Sequence, residues 1–155
     1  MFRVILHYRR VKKDYKGWGL HVWGPTLDET PWHAPLMPMG EDDYGIFWVV
    51  RMAKGAEMLN YIIHRGEEKD YWQDQQLDIT KTGREVWLIE STAEEPSPHF
   101  TNPEEAIYAL AARGIGDIRK NAQAYWLKRD TLAWYVGYGY PYKYYLHYAP
   151  EGGIL

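Results

Sequence analysis

Short runs of apolar, aromatic and β-branched residues, separated by turns, most limit what this chain can fold into. Four of them have the length of a strand: "FRVILHY" (2–8), "IFWVVRM" (46–52), "MLNYIIH" (58–64) and "EVWLI" (85–89). The stretches between them are rich in Gly, Pro, Asp and Thr, which mark turns. Several short strands with frequent turns and no long helix predict an all-β module over residues 1–90, an antiparallel immunoglobulin-like β-sandwich.

The stretch "KGWGLHVWG" (16–24) raises the question of which side of a strand faces solvent. Successive side chains of a strand alternate, so Trp18 and Val22 lie on one side, and His21 and Trp23 lie on the other. At a rise of about 3.3 Å per residue, those two rings are expected roughly 6–7 Å apart. An exposed aromatic face can pack on a sugar ring or on a nucleic-acid base. The alternative is that a loop or a second sheet covers this side.

The aromatic composition fits both interpretations. The chain has 8 Trp and 14 Tyr but only 3 Phe, a bias toward aromatic side chains that carry a polar group. Such side chains suit surfaces that bind polar, flat ligands. They also favour strands, so a β-rich core would show the same bias.

Charge and cysteine content exclude several classes of function. The net charge of −3 gives no overall attraction for nucleic acid, although the first sixteen residues are locally basic. Without cysteine there is no disulfide, no thiolate metal site and no cysteine nucleophile. The start "MFRVILHYRR" lacks an apolar stretch of signal-peptide length, and no segment is apolar enough to span a membrane. We therefore expect no membrane partner.

A charged loop follows the third run directly. It contains Lys69, Asp70 and Asp74, with Tyr71 and Trp72 between them. An ammonium can donate hydrogen bonds to sugar hydroxyls, and a carboxylate can accept them. An aromatic surface with a few such groups is typical of a carbohydrate groove. The alternative for this loop on its own is a solvated turn.

Taken together, "HYRR", "DYKGWGLHVWG", "GEDDYG", "YIIHRGEEKD" and "REVWLI" closely resemble the N-terminal α-glucan-binding module of bacterial pullulanases, family 41 of the carbohydrate-binding modules. The resemblance implies an antiparallel β-sandwich that binds α-1,4-linked glucans such as starch, glycogen and pullulan. It also implies that the sugar stacks on His21 and Trp23 and is hydrogen-bonded by Lys69 and Asp74. Some members carry tryptophan at the position of His21, so we expect Trp23 to dominate. Trp72 completes the candidate site.

The resemblance further implies a non-catalytic module of a pullulanase-type glycoside hydrolase. Its partners would be an α-glucan polysaccharide or maltooligosaccharide and the catalytic α-amylase-type domain of the parent enzyme. The family is usually exported, so an extracellular location is expected. From the residues alone, a single-stranded nucleic-acid-binding module or a protein-interaction module that uses the exposed aromatics remains the alternative. The former predicts binding that falls steeply with salt.

No catalytic residue, metal or cofactor is expected. The turn "GEDDYG" (40–45) contains acidic residues but lacks the spacing of an EF-hand. The acidic residues of 67–74 could form a glycosidase pair, but nothing else in the sequence builds a deep cleft around them. The "GIG" at 114–116 follows no strand and has no phosphate-loop pattern.

The last third of the chain has a different pattern. The stretch 91–121 is predicted to be an acidic linker followed by a short helix, with Asn102 as its N-cap and Gly114 as its stop. Residues 122–155 contain two more strand-like runs, which predict the truncated start of a following β domain.

Overall fold

The structure, a computed structural model, describes residues 1–122, 149–150 and 153–154. The chain divides into two compact units, Met1–Pro103 and Glu104–Leu155. The first unit contains two sheets, each with four strands. Their shared apolar core confirms the predicted β-sandwich.

The first unit is built almost entirely from strands. In the first sheet the strand order is β3-β4-β1-β8; in the second it is β2-β5-β6, with β7 pairing to the same edge of β5. The elements are β1 (Phe2–Arg9), β2 (Gly19–Trp23), β3 (Gly40–Glu41), β4 (Ile46–Met52), β5 (Met58–Arg65), β6 (Glu68–Lys69), β7 (Gln75–Asp78), α1 (Ile79–Thr82) and β8 (Glu85–Ile89).

One pair of strands departs from the predicted antiparallel arrangement. β1 and β8 are parallel, with Ile5 opposite Glu85 and Arg9 opposite Ile89, whereas the other pairs of this unit are antiparallel. Parallel neighbours need a long crossover connection. Here that connection is the rest of the sandwich, because β8 is the last strand of the unit and β1 is the first.

Burial in β2 follows the predicted period of two. In β2, Leu20 and Val22 are fully buried, while His21 and Trp23 on the other side are only half-buried. The core residues share this inward position, and the largest of them with almost no exposure are Trp18, Trp48, Tyr8, Leu6, Leu20, Met52, Leu59, Leu77 and Leu88. The inward faces of the two sheets therefore build one core, while His21 and Trp23 stay outside it.

The "GEDDYG" stretch forms a turn of the fold. The Asp42 carboxylate accepts hydrogen bonds from the backbone N–H groups of Tyr44 (2.9 Å) and Gly45 (3.2 Å). A Cβ atom at Gly45 would collide with the carbonyl oxygen of Tyr8, so only glycine fits there. The carboxylate of Asp42 thus stabilises the turn itself.

The segment after β8, where the sequence predicts a linker, packs on the sandwich. The Ile89 N–H donates to the Ser97 hydroxyl (2.9 Å), and His99 Nε2 lies 2.8 Å from the Tyr61 hydroxyl. Phe100 forms a backbone bridge with Trp87 of β8. Residues up to Pro103 therefore belong to the first compact unit.

The helix predicted after Asn102 is longer than expected. α2 runs from Pro103 to Ala122, so the predicted stop at Gly114 is wrong. A glycine inside a helix costs only about 1 kcal/mol relative to alanine, which is too little to end a helix that the following residues continue.

The described residues after α2 form two short strands. β9 (Ala149–Pro150) and β10 (Gly153–Ile154) are antiparallel. The strand-like runs predicted at 123–136 and 142–149, and with them the partial second β unit, lie almost wholly outside the described residues. Within the described part of the chain, no helix combines the length and the apolar character needed to cross a membrane.

Candidate functional site

The candidate site lies on the outward face of the second sheet. His21 and Trp23 project from β2 on this face, opposite Ile62 and Asn60 of β5. Their ring centroids are 5.1 Å apart, with the planes tilted by 33°. The alternation of "LHVW" thus brings two aromatic side chains together on the side away from the core.

A third aromatic side chain, Trp32, reaches the same face from the loop after β2. Its ring stacks on His64 of β5, with the centroids 3.6 Å apart and the planes within 6°. It also meets His21 at 5.3 Å, edge to face. Its indole N–H donates to Glu67 Oε2 (3.1 Å). We refer to His21, Trp23 and Trp32 as the aromatic platform.

A glycine of β2 lets the loop of Trp32 lie over the sheet. Gly19 occupies the outward side of β2, and a Cβ there would lie 2.6 Å from Cγ of Pro35. The next residue, Leu20, exchanges two backbone hydrogen bonds with Leu36, of 2.8 and 2.9 Å. The close approach at Gly19 therefore fixes the loop that carries Trp32.

His21 is held by a neighbouring threonine and is neutral at neutral pH. Its Nδ1 lies 3.0 Å from the Thr30 hydroxyl, which also accepts the Val22 N–H at 3.1 Å. Burial, and to a smaller extent the nearby His64, lowers the pKa of the His21 imidazole, and the Asp74 carboxylate opposes this shift. A neutral ring stacks on an uncharged ligand without losing the hydration of an ion.

Charged side chains lie at the edges of the aromatic platform. Lys69 of β6 pairs with His64 across the strands, and its ammonium lies 5.5 Å from the centroid of the Trp32 ring. Asp74 is exposed and close enough to His21 to act on its pKa. The structure therefore brings Lys69 to the Trp32 ring and Asp74 close enough to His21 to affect its charge.

The remaining predicted site residue, Trp72, has a different environment. Its side chain is 64% exposed. Among the ring contacts of the described residues, it pairs with Tyr71 at 5.9 Å and not with the aromatic platform. Trp72 could therefore take part only by extending the binding surface beyond the aromatic platform.

The pKa shift of His21 predicts how stability depends on pH. The native state favours the neutral ring, so the unfolded chain binds a proton more readily around its ordinary pKa of about 6.5. The stability contributed by His21 is therefore present above that value and decreases as the pH falls through it. Half-buried His99, whose pKa is also lowered by burial, adds an effect of the same sign. Urea unfolding at several pH values between about 7.5 and 5 measures this loss of stability.

A His21→Gln variant is the control for this prediction. Its stability should fall less steeply with acid than that of the wild type, because only the contribution of the remaining histidines is left. An identical pH slope in both proteins would contradict the assignment to His21.

In chemical terms, this site is suited to binding. The candidate side chains lie on an open sheet face, with aromatic rings in the middle and an ammonium and a carboxylate at the edges. In the described ranges, no group of three or more His, Asp or Glu side chains is placed to hold a metal ion. Fold and site thus define a β-sandwich module of the binding type.

The chain belongs to the family of bacterial pullanase-associated domains, whose model matches residues 3–95. This confirms the family predicted from the sequence motifs. The matched range covers both sheets and every residue of the aromatic platform.

Similarity to known proteins agrees with this family. The chain is 45% identical to an α-amylase of Streptomyces lividans over 73 residues, which are 47% of this chain and 8% of that enzyme. A structure described as α-glucan recognition by family 41 carbohydrate-binding modules from streptococcal virulence factors matches with a TM-score of 0.58 at 14% identity, covering 67% of this chain and 49% of the other. The structure of Klebsiella pneumoniae pullulanase complexed with maltotriose matches with a TM-score of 0.60 at 20% identity. The match covers 70% of this chain and 11% of that one.

These matches show the fold of a non-catalytic carbohydrate-binding module. The chain spans only a small part of the amylase and pullulanase that it resembles. The activities of those enzymes are thus properties of much longer chains.

Proposed function

We propose that this module binds α-1,4-linked glucans, in starch, glycogen, pullulan or maltooligosaccharides, without catalysing a reaction. The observation that carries the proposal is the meeting of His21, Trp23 and Trp32 on one sheet face, with Lys69 and Asp74 at its edges. Glucose rings have apolar C–H faces that pack on aromatic rings and hydroxyl groups that pair with charged side chains.

Each group has a distinct part in this proposal. Trp23 supplies the larger stacking surface, and the neutral ring of His21 adds a smaller one. Lys69 donates hydrogen bonds to sugar hydroxyls and Asp74 accepts them, which fixes the orientation of the sugar. Trp72, at the exposed end of the loop, contacts a longer glucan chain. The family and the similar structures named for α-glucan and maltotriose support this choice of ligand.

Within a longer pullulanase-type enzyme, such a module would keep a catalytic α-amylase-type domain close to insoluble or branched substrate. The gain is a higher effective concentration of substrate, with no change in the reaction barrier. In this proposal the binding module is the first compact unit, Met1–Pro103. In this proposal the enzyme acts outside the cell, as is usual for this family.

The nucleic-acid alternative has two of its basic residues bound within the fold. It rests on the basic residues near the N-terminus, but Arg10 donates to Asp14 (2.9 Å) and lies 4.3 Å from the Trp18 ring. Arg9 donates to the backbone oxygen of Tyr44 (2.8 Å). These cations bind within the fold and leave less charge for a phosphate backbone.

Affinity electrophoresis tests the proposed function directly. The protein is run in native gels that contain soluble starch, amylopectin or no polysaccharide, at low and high salt. Retardation by both polysaccharides that is nearly independent of salt is the expected result. Binding of a single-stranded oligonucleotide that disappears with salt, with no retardation by starch, would contradict the proposal and favour the alternative.

Removing either charged group should weaken binding but not folding. Lys69→Ala and Asp74→Ala each delete one hydrogen-bonding group at an exposed position, so Kd for maltooligosaccharides rises while the melting temperature changes little. Calorimetric titration measures the affinity. Lys54→Ala, an exposed lysine outside this face, is the matched control and should bind like the wild type. Wild-type affinity in both site variants would exclude their proposed contact with the sugar.

Replacing Trp32 should also weaken binding. Trp32→Ala removes one ring of the aromatic platform and uncovers His64, which is 2% exposed in the native protein. By analogy with base stacking, a lost aromatic contact costs about 1–3 kcal/mol of binding energy. Calorimetry with a maltooligosaccharide checks this, and Trp32→Phe, which keeps a stacking ring, should lose less. Equal affinities of the wild type and Trp32→Ala would remove Trp32 from the site.

A further inference from the structure

We propose that Asp70 is a positioning residue for the clamp loop, by which we mean residues 66–74 with Lys69 and Asp74. The inference rests on the proposed glucan-binding function. Asp70 does not lie on the aromatic platform. It acts by fixing where its sequence neighbours are placed.

The Asp70 carboxylate accepts hydrogen bonds from two other parts of the sandwich. The Tyr8 hydroxyl of β1 donates to Oδ1 (2.5 Å), and the Ser91 N–H donates to the same oxygen (3.0 Å). The Ser91 hydroxyl donates to Oδ2 (2.6 Å). One carboxylate thus joins the clamp loop to the first sheet and to the segment after β8.

The partner on β1 is itself fixed. Tyr8 is fully buried, and its hydroxyl also accepts a hydrogen bond from Arg10 Nη1 (2.9 Å). Burial, and next the charge of Asp70, raises the pKa of the Tyr8 hydroxyl, which stays protonated and able to donate. Charge-assisted hydrogen bonds of this kind are stronger than neutral ones. The contact therefore favours a carboxylate over an amide at position 70.

The position of Asp70 in the chain connects this contact to the binding face. Its N–H donates to the carbonyl of Ile63 (2.8 Å), which continues the pairing of β5 and β6. Adjacent side chains of an extended chain point to opposite sides. With Asp70 directed to Tyr8, Lys69 is directed to the opposite side, where its ammonium lies beside Trp32.

A second contact fixes the far part of the clamp loop. Tyr71 is buried, and its hydroxyl donates to the backbone oxygen of Glu94 (3.2 Å). Between this residue and Gln75, where β7 begins, the loop is exposed. Asp74 is therefore placed from both ends: by the contacts of Asp70 and Tyr71 on one side and by β7 on the other.

The test is a double-mutant cycle on the full chain. Asp70→Asn keeps the size of the side chain but removes its charge. For a maltooligosaccharide such as maltoheptaose, we expect Kd to rise about fivefold or more, within the usual range of coupling between contacting groups. In a Lys69→Ala background the same substitution should raise Kd by a smaller factor, because one of the two groups that it positions is already absent.

Two further variants control for a purely structural role. Asp42→Asn replaces the carboxylate that stabilises a turn of the first sheet. It should therefore lower the urea midpoint without changing Kd. Ser91→Ala removes the hydroxyl contact to Asp70 and the hydrogen bond that the Ser97 N–H donates to that hydroxyl, but it leaves the Asp70 carboxylate in place, so it should raise Kd in the same direction by a smaller factor. It also keeps the proposal testable should Asp70→Asn fail to fold.

The outcomes separate the two proposals. Unchanged Kd in folded Asp70→Asn, or an equal loss in both backgrounds, would overturn the positioning role while leaving glucan binding intact. If Asp70→Asn does not fold, unchanged Kd in Ser91→Ala overturns it as well. Absence of maltoheptaose binding in the wild type would instead overturn the proposed function, and the positioning role with it.

Discussion

Trp23→Ala is expected to remove most starch binding while leaving the fold intact. Trp23 lies on the outward face of β2 and is not part of the apolar core. A stacked aromatic ring contributes about 1–3 kcal/mol, so Kd should rise about 5- to 150-fold. Affinity electrophoresis in amylopectin measures the loss, and urea unfolding checks that the protein remains folded.

The chain offers a matched control on the other sheet. Trp87 of β8 is also half-buried and stacks on a histidine, His7, with ring centroids 4.9 Å apart. Because Trp87 lies outside the aromatic platform, the folded Trp87→Ala protein should show wild-type retardation even if it is less stable. Wild-type retardation of Trp23→Ala would exclude the outward face of β2 as the binding surface.

Trp18→Ala is expected to have the opposite effect, a large loss of stability. Trp18 is 1% exposed and packs against Tyr8, and the guanidinium groups of Arg10 and Arg65 lie 4.3 and 4.7 Å from its ring. Replacing a buried tryptophan by alanine costs about 3–5 kcal/mol, through lost burial and the cavity that remains. Urea unfolding monitored by circular dichroism gives the free energy of unfolding.

Trp18→Phe separates packing from hydrogen bonding in this prediction. The indole N–H of Trp18 is buried and has no hydrogen-bond partner, so the phenyl ring loses volume but no hydrogen bond. The loss of stability should be smaller than for alanine. A Trp18→Ala protein as stable as the wild type would show that this side chain does not support the core.

Much of the sandwich follows from local sequence patterns. The strands at 2–8, 46–52, 58–64 and 85–89 lie within one residue of the predicted bounds. The inward and outward sides of β2 are also as predicted, because alternation is a property of the extended backbone itself. The parallel pairing of β1 with β8 could not be predicted in this way, since it depends on where the chain returns after crossing the whole fold.

The structure departs from what local composition indicates at two places. Acidic residues and prolines in 91–102 indicate a linker, but hydrogen bonds to distant residues such as Tyr61 fix this segment on the sandwich. Gly114 indicates a helix end, but α2 continues to Ala122. The linker composition is outweighed by contacts with distant residues, whereas at Gly114 the cost of one glycine is too small to end the helix.

For the candidate site, the sequence by itself determined that His21 and Trp23 share the outward side of one strand. It also placed Lys69 and Asp74 together in one loop. Only the tertiary structure decided that this loop borders the aromatic rings.

The tertiary structure also decided the parts of the site that come from distant segments. Trp32 joins the aromatic platform from an irregular loop because Gly19 permits a close approach and His64, far along the chain, provides a ring on which to stack. Asp70 meets Tyr8 across a sequence separation of 62 residues. Alternation fixes the side of a strand within a few residues, whereas contacts of this kind exist only after the two sheets have packed.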